Sequence, residues 1–262
     1  MIDKKEFLLQ SIIRAYIEHM EPIGSTQLKN MYDIAYSPAT IRGYFKKLGD
    51  DGYLAQEHIS SGRVPTIEAL KEYWSSRLNF ELDEIDFEMI TRVSSQIGAT
   101  VFIKQNDETT LQEILNIDDR YMILEFNNFS ITVKFSAPLF KFLQDMRGLE
   151  LENILDVSKQ VGAVELYNEL GNKISNSAYE VINMKSFLRM AVEYDMREEL
   201  IQDFLHGQIL EKLQSGIYFE QLLPVGYMGV CHDCKINGVN IKMLVVGELS
   251  KDYDYFYKGV TR

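Results

Sequence analysis

Residues 36–54, YSPATIRGYFKKLGDDGYL, carry their own start and stop signals and so admit one local structure. Ser37 offers a side-chain oxygen to cap a helix, and Pro38 stands at the first helical position, where a missing backbone N–H costs nothing. Gly52 supplies a left-handed C-terminal cap, so the helix ends by about Asp51. Ile41, Tyr44, Phe45 and Leu48 fall on one face and suit a core. Ala39, Thr40, Arg42, Gly43, Lys46 and Lys47 make the other face, small and polar at its start and basic toward its end.

The flanking sequence extends this helix into a module. Phe7, Leu8, Ile12, Ile13, Tyr16 and Ile17 recur at helical spacing behind Asp3, a candidate N-cap. Pro22 and Gly24 end that helix, Ser25 or Thr26 caps a short second one through Leu28 and Met31, and residues 33–36 form a turn. After Gly52, residues 53–57 and 63–65 read as two strands about a Ser60-Ser61-Gly62 turn. Thr66 then caps a fourth helix, residues 67–78. Helix, short helix, turn, helix and two-stranded ribbon is the order of a winged helix-turn-helix; caps, turn length and ribbon all agree on it. In that architecture the helix at 38–51 enters a DNA major groove. Ala39 and Gly43 would let the backbone approach, and Thr40 and Arg42 would reach base edges. Lys46 and Lys47 would hold phosphates, and Arg63 would enter a minor groove or pair with a phosphate. Winged helices also serve protein contacts, and a Lys-Lys pair is often a solvated face, so the pattern alone leaves both functions open.

The charge balance does not close that choice. The 262 residues hold 27 Lys/Arg and 39 Asp/Glu, a net charge of −12. Up to Ser76 there are 9 basic against 10 acidic residues, which leaves 18 against 29 for the remainder. A near-neutral module with locally placed cations can bind DNA beside an acidic body. The length predicts two or more domains, each able to bury a core. No apolar run approaches the ~18 residues of a membrane span, and the first residues lack a signal peptide's apolar stretch. Cys231 and Cys234 are the only cysteines, which fits a reducing cytoplasm.

The body reads as α+β. Residues 83–98 predict a helix burying Ile85, Met89, Ile90, Val93 and Ile97, and residues 100–104 an alternating strand. Residues 110–117, 120–128 and 129–136 predict successive strands, with a hairpin turn at Asn127-Asn128. Residues 138–146 and 153–171 read as helices or helical turns, and 179–214 is mostly helical. Strands at 226–233 and 241–249 flank a Gly238 turn, and 251–260 closes the chain as a helix or edge element. The Cys231-His232-Asp233-Cys234 stretch lacks two further zinc ligands and does not open a helix as a thioredoxin-type redox pair does. With no Gly-rich phosphate loop, nucleophile elbow or isolated carboxylate pair, neither enzyme activity nor a metal or cofactor is expected.

Three stretches in register resemble the HrcA heat-inducible transcription repressors: EPIGSTQL at 21–28, SPATIRGYFKKLGDDGYL at 37–54 and HISSGRVPT at 58–66. Those proteins carry an EPVGS turn, an SSATIRNEM recognition helix and a TSAGRIPT wing in this order. Ser25, Ser37, Ala39, Thr40, Ile41, Arg42, Ser61, Gly62, Arg63, Pro65 and Thr66 match. Gly43 stands where the family usually has Asn, and Pro38 where a second Ser is common. The resemblance implies a repressor of chaperone operons that binds an inverted-repeat operator, CIRCE, as a homodimer and is kept active by the GroEL chaperonin. It adds Ser25, Thr26, Ser37, Ser61 and Gly62 to the expected DNA-side residues. It also implies an N-terminal winged helix-turn-helix at 1–78 and a GAF-like antiparallel-sheet domain at 83–170 plus 220–262. Residues 171–219 would form an inserted, mainly helical dimerising segment. The other class of function is a winged-helix interaction module with a ligand-binding GAF-like sensor.

Overall fold

The computed structural model describes residues 4–56, 58, 61–78, 82–105, 109–127, 129–175 and 179–261. The chain divides into two compact units. One comprises Met1–Ile103, Glu180–Gly238 and Lys242–Arg262; the other comprises Lys104–Tyr179 with Val239–Ile241.

The first unit opens with α1 (Lys4–His19), α2 (Ser25–Tyr32) and α3 (Pro38–Asp50), followed by β1 (Leu54–Ala55), β2 (Val64–Pro65) and α4 (Ile67–Arg77). Leu8, Leu9, Ile12, Ile13, Ala15 and Ile17 line the buried side of α1. Phe7, expected inside, is 41% exposed, and Asp3 lies outside the described residues. The cap of α2 is neither Ser25 nor Thr26 but Gly24, whose N–H donates to Gln27 Oε1 at 3.2 Å. That bond makes Ser25 the first helical residue and turns its hydroxyl inward. α3 follows its signals: the Thr40 N–H donates to Ser37 Oγ at 3.1 Å. At its end Gly52 takes a φ of +84°, while Tyr53 N–H reaches Leu48 O at 2.8 Å and Gly52 N–H reaches Gly49 O at 3.0 Å. This pair of bonds is a Schellman motif, which satisfies carbonyls that the helix end would otherwise leave orphaned. β1 and β2 pair antiparallel, Leu54 with Pro65 and Ala55 with Val64, a shorter ribbon than the spacing predicts. Thr66 Oγ1 accepts the Ala69 N–H at 3.3 Å and donates to Gly52 O at 2.8 Å, so one side chain caps α4 and ties it to the end of α3.

The body continues with β3 (Glu84–Ile85), α5 (Phe87–Ile97) and β4 (Thr100–Gln105). The second unit then supplies β5 (Leu111–Ile117), β6 (Tyr121–Phe126), β7 (Ser130–Lys134), α6 (Ala137–Gln144), α7 (Leu151–Gln160) and α8 (Val164–Ser175). The chain returns through β8 (Tyr179–Ile182), α9 (Met184–Glu193), α10 (Glu198–Leu205), α11 (Gln208–Lys212), β9 (Gly216–Tyr218), β10 (Tyr227–Ile236), β11 (Val239–Glu248) and α12 (Tyr253–Val260). The large sheet has the order β3-β10-β11-β4-β8, with β9 also paired to β10.

Several expectations are corrected here. Residues 83–98 are not one helix. Asp86 Oδ1 accepts the N–H groups of Glu88 and Met89 at 3.0 and 3.3 Å, so α5 starts after it. Glu84 and Ile85 are thereby free to pair with Lys235 and Ile236, and they do so in parallel, so the sheet is not purely antiparallel. β4 does not alternate: Thr100, Val101, Phe102 and Ile103 are all buried, as befits an inner strand covered on both faces.

The domain boundaries also move. β5, β6 and β7 form a separate antiparallel meander and do not join the large sheet. Its inward residues, among them Leu111, Met122, Leu124 and Val133, share a core with Leu143, Ile154, Leu166 and Leu170 from α6, α7 and α8. The self-contained segment is therefore Lys104–Tyr179, and residues 180–219 belong with the large sheet instead of forming an insertion. The helical stretch expected over 153–171 is two helices, α7 and α8, with Gly162 at φ +71° between them. Asn128, half of the expected hairpin turn, lies outside the described residues, whereas Asn237 and Gly238 at φ +51° and +79° make the tight β10–β11 turn. Among the described residues no helix is long and apolar enough to cross a membrane.

Candidate nucleic-acid interface

α3 presents two unlike sides because its apolar residues fall at i, i+4 and i+7. Ile41, Phe45 and Leu48 are buried, while Ala39, Thr40, Arg42, Gly43, Lys46 and Lys47 are exposed. The expected face therefore exists as a solvent-facing surface. Its charges are unspent. Lys5, Arg14, Lys71 and Arg77 each pair with a carboxylate, at 2.5 Å to Asp51, 2.8 Å to Glu18, 2.9 Å to Glu68 and 2.5 Å to Asp254. Among the described residues Arg42, Lys46, Lys47 and Arg63 pair with none. Lys47 Nζ lies 5.6 Å from the Tyr44 ring centroid, a contact that leaves its charge available.

The remaining candidates divide between surface and scaffold. Thr26 is exposed near the start of α2. Ser25 is only 9% exposed, and its Oγ accepts from Arg42 Nη1 at 3.3 Å. That bond links α2 to the arginine of α3. Ser37 is occupied as the cap, and its Oγ lies 2.9 Å from Thr40 Oγ1, so the Thr40 methyl is the freer end of that side chain. Ser61 Oγ donates to His58 O at 2.7 Å and accepts the His58 N–H at 3.0 Å, so its hydroxyl is taken up by His58; Ser60 lies outside the described residues. Gly62 is explained by packing. A Cβ there would stand 2.6 Å from Ile23 N, Ile23 C and Pro22 C. The backbones meet because Ile23 and Arg63 exchange both N–H···O bonds, each 2.9 Å, an isolated bridge that sequence reading missed. Two glycines in these motifs thus differ. A Cβ on Gly43 would meet nothing within 4 Å, so nothing inside the protein requires glycine there.

The Cys231–Cys234 stretch lies along β10, with Cys231, His232 and Cys234 buried and Asp233 exposed. Both thiols are buried, and burial pushes each up to about 12, far from the thiolate form that nucleophilic or metal chemistry needs. His232 is fully buried with its Nε2 2.7 Å from Tyr257 Oη. Among the described residues no group of three or more His, Cys, Asp or Glu is placed to hold a metal ion.

Comparison with known proteins decides which family built this surface. The family profile of the HrcA C-terminal domain matches residues 74–262. The chain belongs to the HrcA family. It is 28% identical over 261 residues to the heat-inducible transcription repressor HrcA of Helicobacter pylori strain J99, covering 100% of this chain and 96% of that one. It is 37% identical over 267 residues to the HrcA of Thermotoga neapolitana, covering 97% of this chain and 73% of that protein. A crystal structure of a hypothetical protein shares the fold, with a TM-score of 0.52, 19% identity and coverage of 98% and 93%. The HrcA profile takes in Trp74, the α4 residue whose indole N–H donates to Leu249 O at 2.8 Å beside α12. In this HrcA chain the N-terminal helices and the body are thus joined by a buried hydrogen bond.

Proposed function

We propose that the chain is a negative regulator of heat-shock transcription that binds an inverted-repeat, CIRCE-type operator as a homodimer. Residues 1–78 act as the winged helix-turn-helix, with α3 as the recognition helix and the β1–β2 ribbon as the wing. The large-sheet unit acts as a GAF-like body, GroEL-type chaperonin maintains the active form, and the setting is cytoplasmic. The observation that carries this reading is the row of exposed cations on α3, which no carboxylate neutralises among the described residues. Such charges retain their full worth for phosphates, whose counterions are released on binding. The family's curated members are named heat-inducible transcription repressors, which supports the same reading.

A gel shift tests it, with purified protein, with and without chaperonin, on inverted half-sites against scrambled DNA. Equal retardation of both DNAs in both conditions would sink it. Within the site, Arg42→Ala is expected to weaken the operator complex by about 1–3 kcal/mol and relax sequence preference, because a bidentate base contact goes with it. Lys47→Ala should weaken all sequences alike and lower the salt slope by about 1. An Arg42 variant with unaltered preference would remove that residue from base readout.

Gly43→Ala separates folding from binding. A mid-helix glycine costs about 0.5–1 kcal/mol relative to alanine, and the new methyl meets nothing within 4 Å, so the melting temperature should rise. Operator affinity should fall if the glycine admits close approach of the DNA backbone. Affinity that rises together with stability would count against that role.

A further inference from the structure

A cleft of about 190 Å³ opens where α1, α4 and α12 meet, all three within the first unit. Ile17 and Trp74, both buried, give it an apolar side. Around them stand the cations Arg14 of α1, Arg77 of α4 and Lys258 of α12, with the acids Glu18, Asp252 and Asp254. The operator reading uses none of these groups.

The acids are engaged, whereas the cations keep donors in reserve. Glu18 accepts from Arg14 Nε at 2.8 Å and from the Tyr32 hydroxyl at 3.3 Å. Asp254 accepts from Arg77 Nε at 2.5 Å, and Asp252 accepts the Tyr255 N–H at 2.8 Å. Each arginine therefore spends only its Nε, and its terminal Nη groups have no hydrogen-bond partner among the described residues. Lys258 makes no hydrogen bond or ion pair among them either.

Tyr73 adds a donor of a different kind. It is 3% exposed, and its hydroxyl has no hydrogen-bond partner among the described residues. No buried side-chain nitrogen or oxygen among them lacks a partner, so this hydroxyl must open onto the cleft that Tyr73 lines. Burial raises the phenol above its ordinary value, against the pull of Arg77 and Arg14, so it stays an O–H donor. A near-buried hydroxyl with nothing to donate to, in a cleft with unspent guanidinium and ammonium donors, calls for an acceptor.

We propose that this cleft binds a small oxyanion, the phosphate or carboxylate group of a molecule that its volume admits. Arg14, Arg77 and Lys258 supply N–H donors, and Tyr73 supplies its O–H. The planar guanidinium fork suits both head groups. Since α1 and α4 belong to the N-terminal helices and α12 to the body, an occupant braces one against the other. Binding here does not depend on the operator reading.

Trp74, the single tryptophan, lines the cleft and reports on its occupancy. The test follows its fluorescence in the full chain, titrated separately with sodium phosphate and sodium succinate, with chloride holding the ionic strength constant. A saturable change is expected, and the anion that saturates at the lower concentration names the head group. Tyr73→Phe and Lys258→Gln should each weaken binding about tenfold, the worth of one hydrogen bond to a charged group. Neither polar group has a partner within the protein, so both variants should keep the parent's melting temperature in the absence of anion. Bound anion should raise the parent's melting temperature, and raise that of the variants less at the same concentration. Should Tyr73→Phe prove less stable, Lys258→Gln decides the matter, because that lysine is exposed. No saturable change with either anion overturns the proposal. Parental affinity in both variants overturns it too, since the signal would then be general ion binding.

Discussion

Trp74→Ala is expected to lower the stability of the chain by about 3–5 kcal/mol, the range for emptying a large aromatic site in a core. The indole is 1% exposed and packs edge-on against Tyr73 and Tyr253, with centroids 4.9 and 5.2 Å away. Its N–H also donates to Leu249 O at 2.8 Å, so the truncation leaves a cavity and an unpartnered carbonyl together. Urea unfolding followed by circular dichroism gives the number, since Trp74 is the chain's single tryptophan and the tryptophan fluorescence is lost with it. Trp74→Phe keeps most of the volume and removes the donor, so it should fall well short of the alanine variant. A loss below about 1 kcal/mol for Trp74→Ala would mean that α4 is not anchored through this ring.

The second large effect is expected at the ribbon. Gly62→Ala puts a methyl 2.6 Å from three backbone atoms of Pro22 and Ile23. Backbone cannot yield as a side-chain tip can, so the ribbon must move off and the paired bonds between Ile23 and Arg63 must break. Overpacking costs about 1–3 kcal/mol, and two broken bonds add about 1 kcal/mol each. Gly62 does not have a left-handed φ, so the requirement is for space and not for an unusual conformation. Hydrogen exchange at the amides of Ile23 and Arg63 reads the event directly. Protection equal to the parent's would mean the glycine serves something other than this crossing. Since Arg63 follows Gly62, operator affinity should drop with the protection.

Local signals were readable where a residue acts on its own neighbours. Ser37, Pro38 and Gly52 fix α3, and Thr66 fixes the start of α4, because each acts on backbone groups within three or four residues. Reading failed where the partner is distant. Ser25 looks like a cap by its type, but its hydroxyl meets Arg42 from the next helix. Gly62 looks like part of a DNA-binding motif, but a backbone crossing some forty residues back explains it. The meander β5–β6–β7 was found as strands, yet a period of two says nothing about which sheet a strand joins. Only the shared core of Leu124, Ile154 and Leu170 separates it from the large sheet. Likewise the run Thr100–Ile103 needed neighbours on both sides before its uninterrupted burial made sense.

The way the second unit is spliced in has a consequence for how such chains can vary. Thr100 Oγ1 donates to Asn183 O at 3.0 Å, and Asn183 Nδ2 donates to Ala99 O at 2.9 Å. The start of β4 therefore lies beside the end of β8, which makes these sheet neighbours antiparallel. Lys104–Tyr179 is thus inserted in the chain between two neighbouring strands of the large sheet, β4 and β8. Such a cassette can be lengthened, shortened or exchanged while the register of the large sheet stays fixed, and loop-closure entropy charges little for the change. Differences in length among relatives can accumulate at this point without disturbing the N-terminal helices.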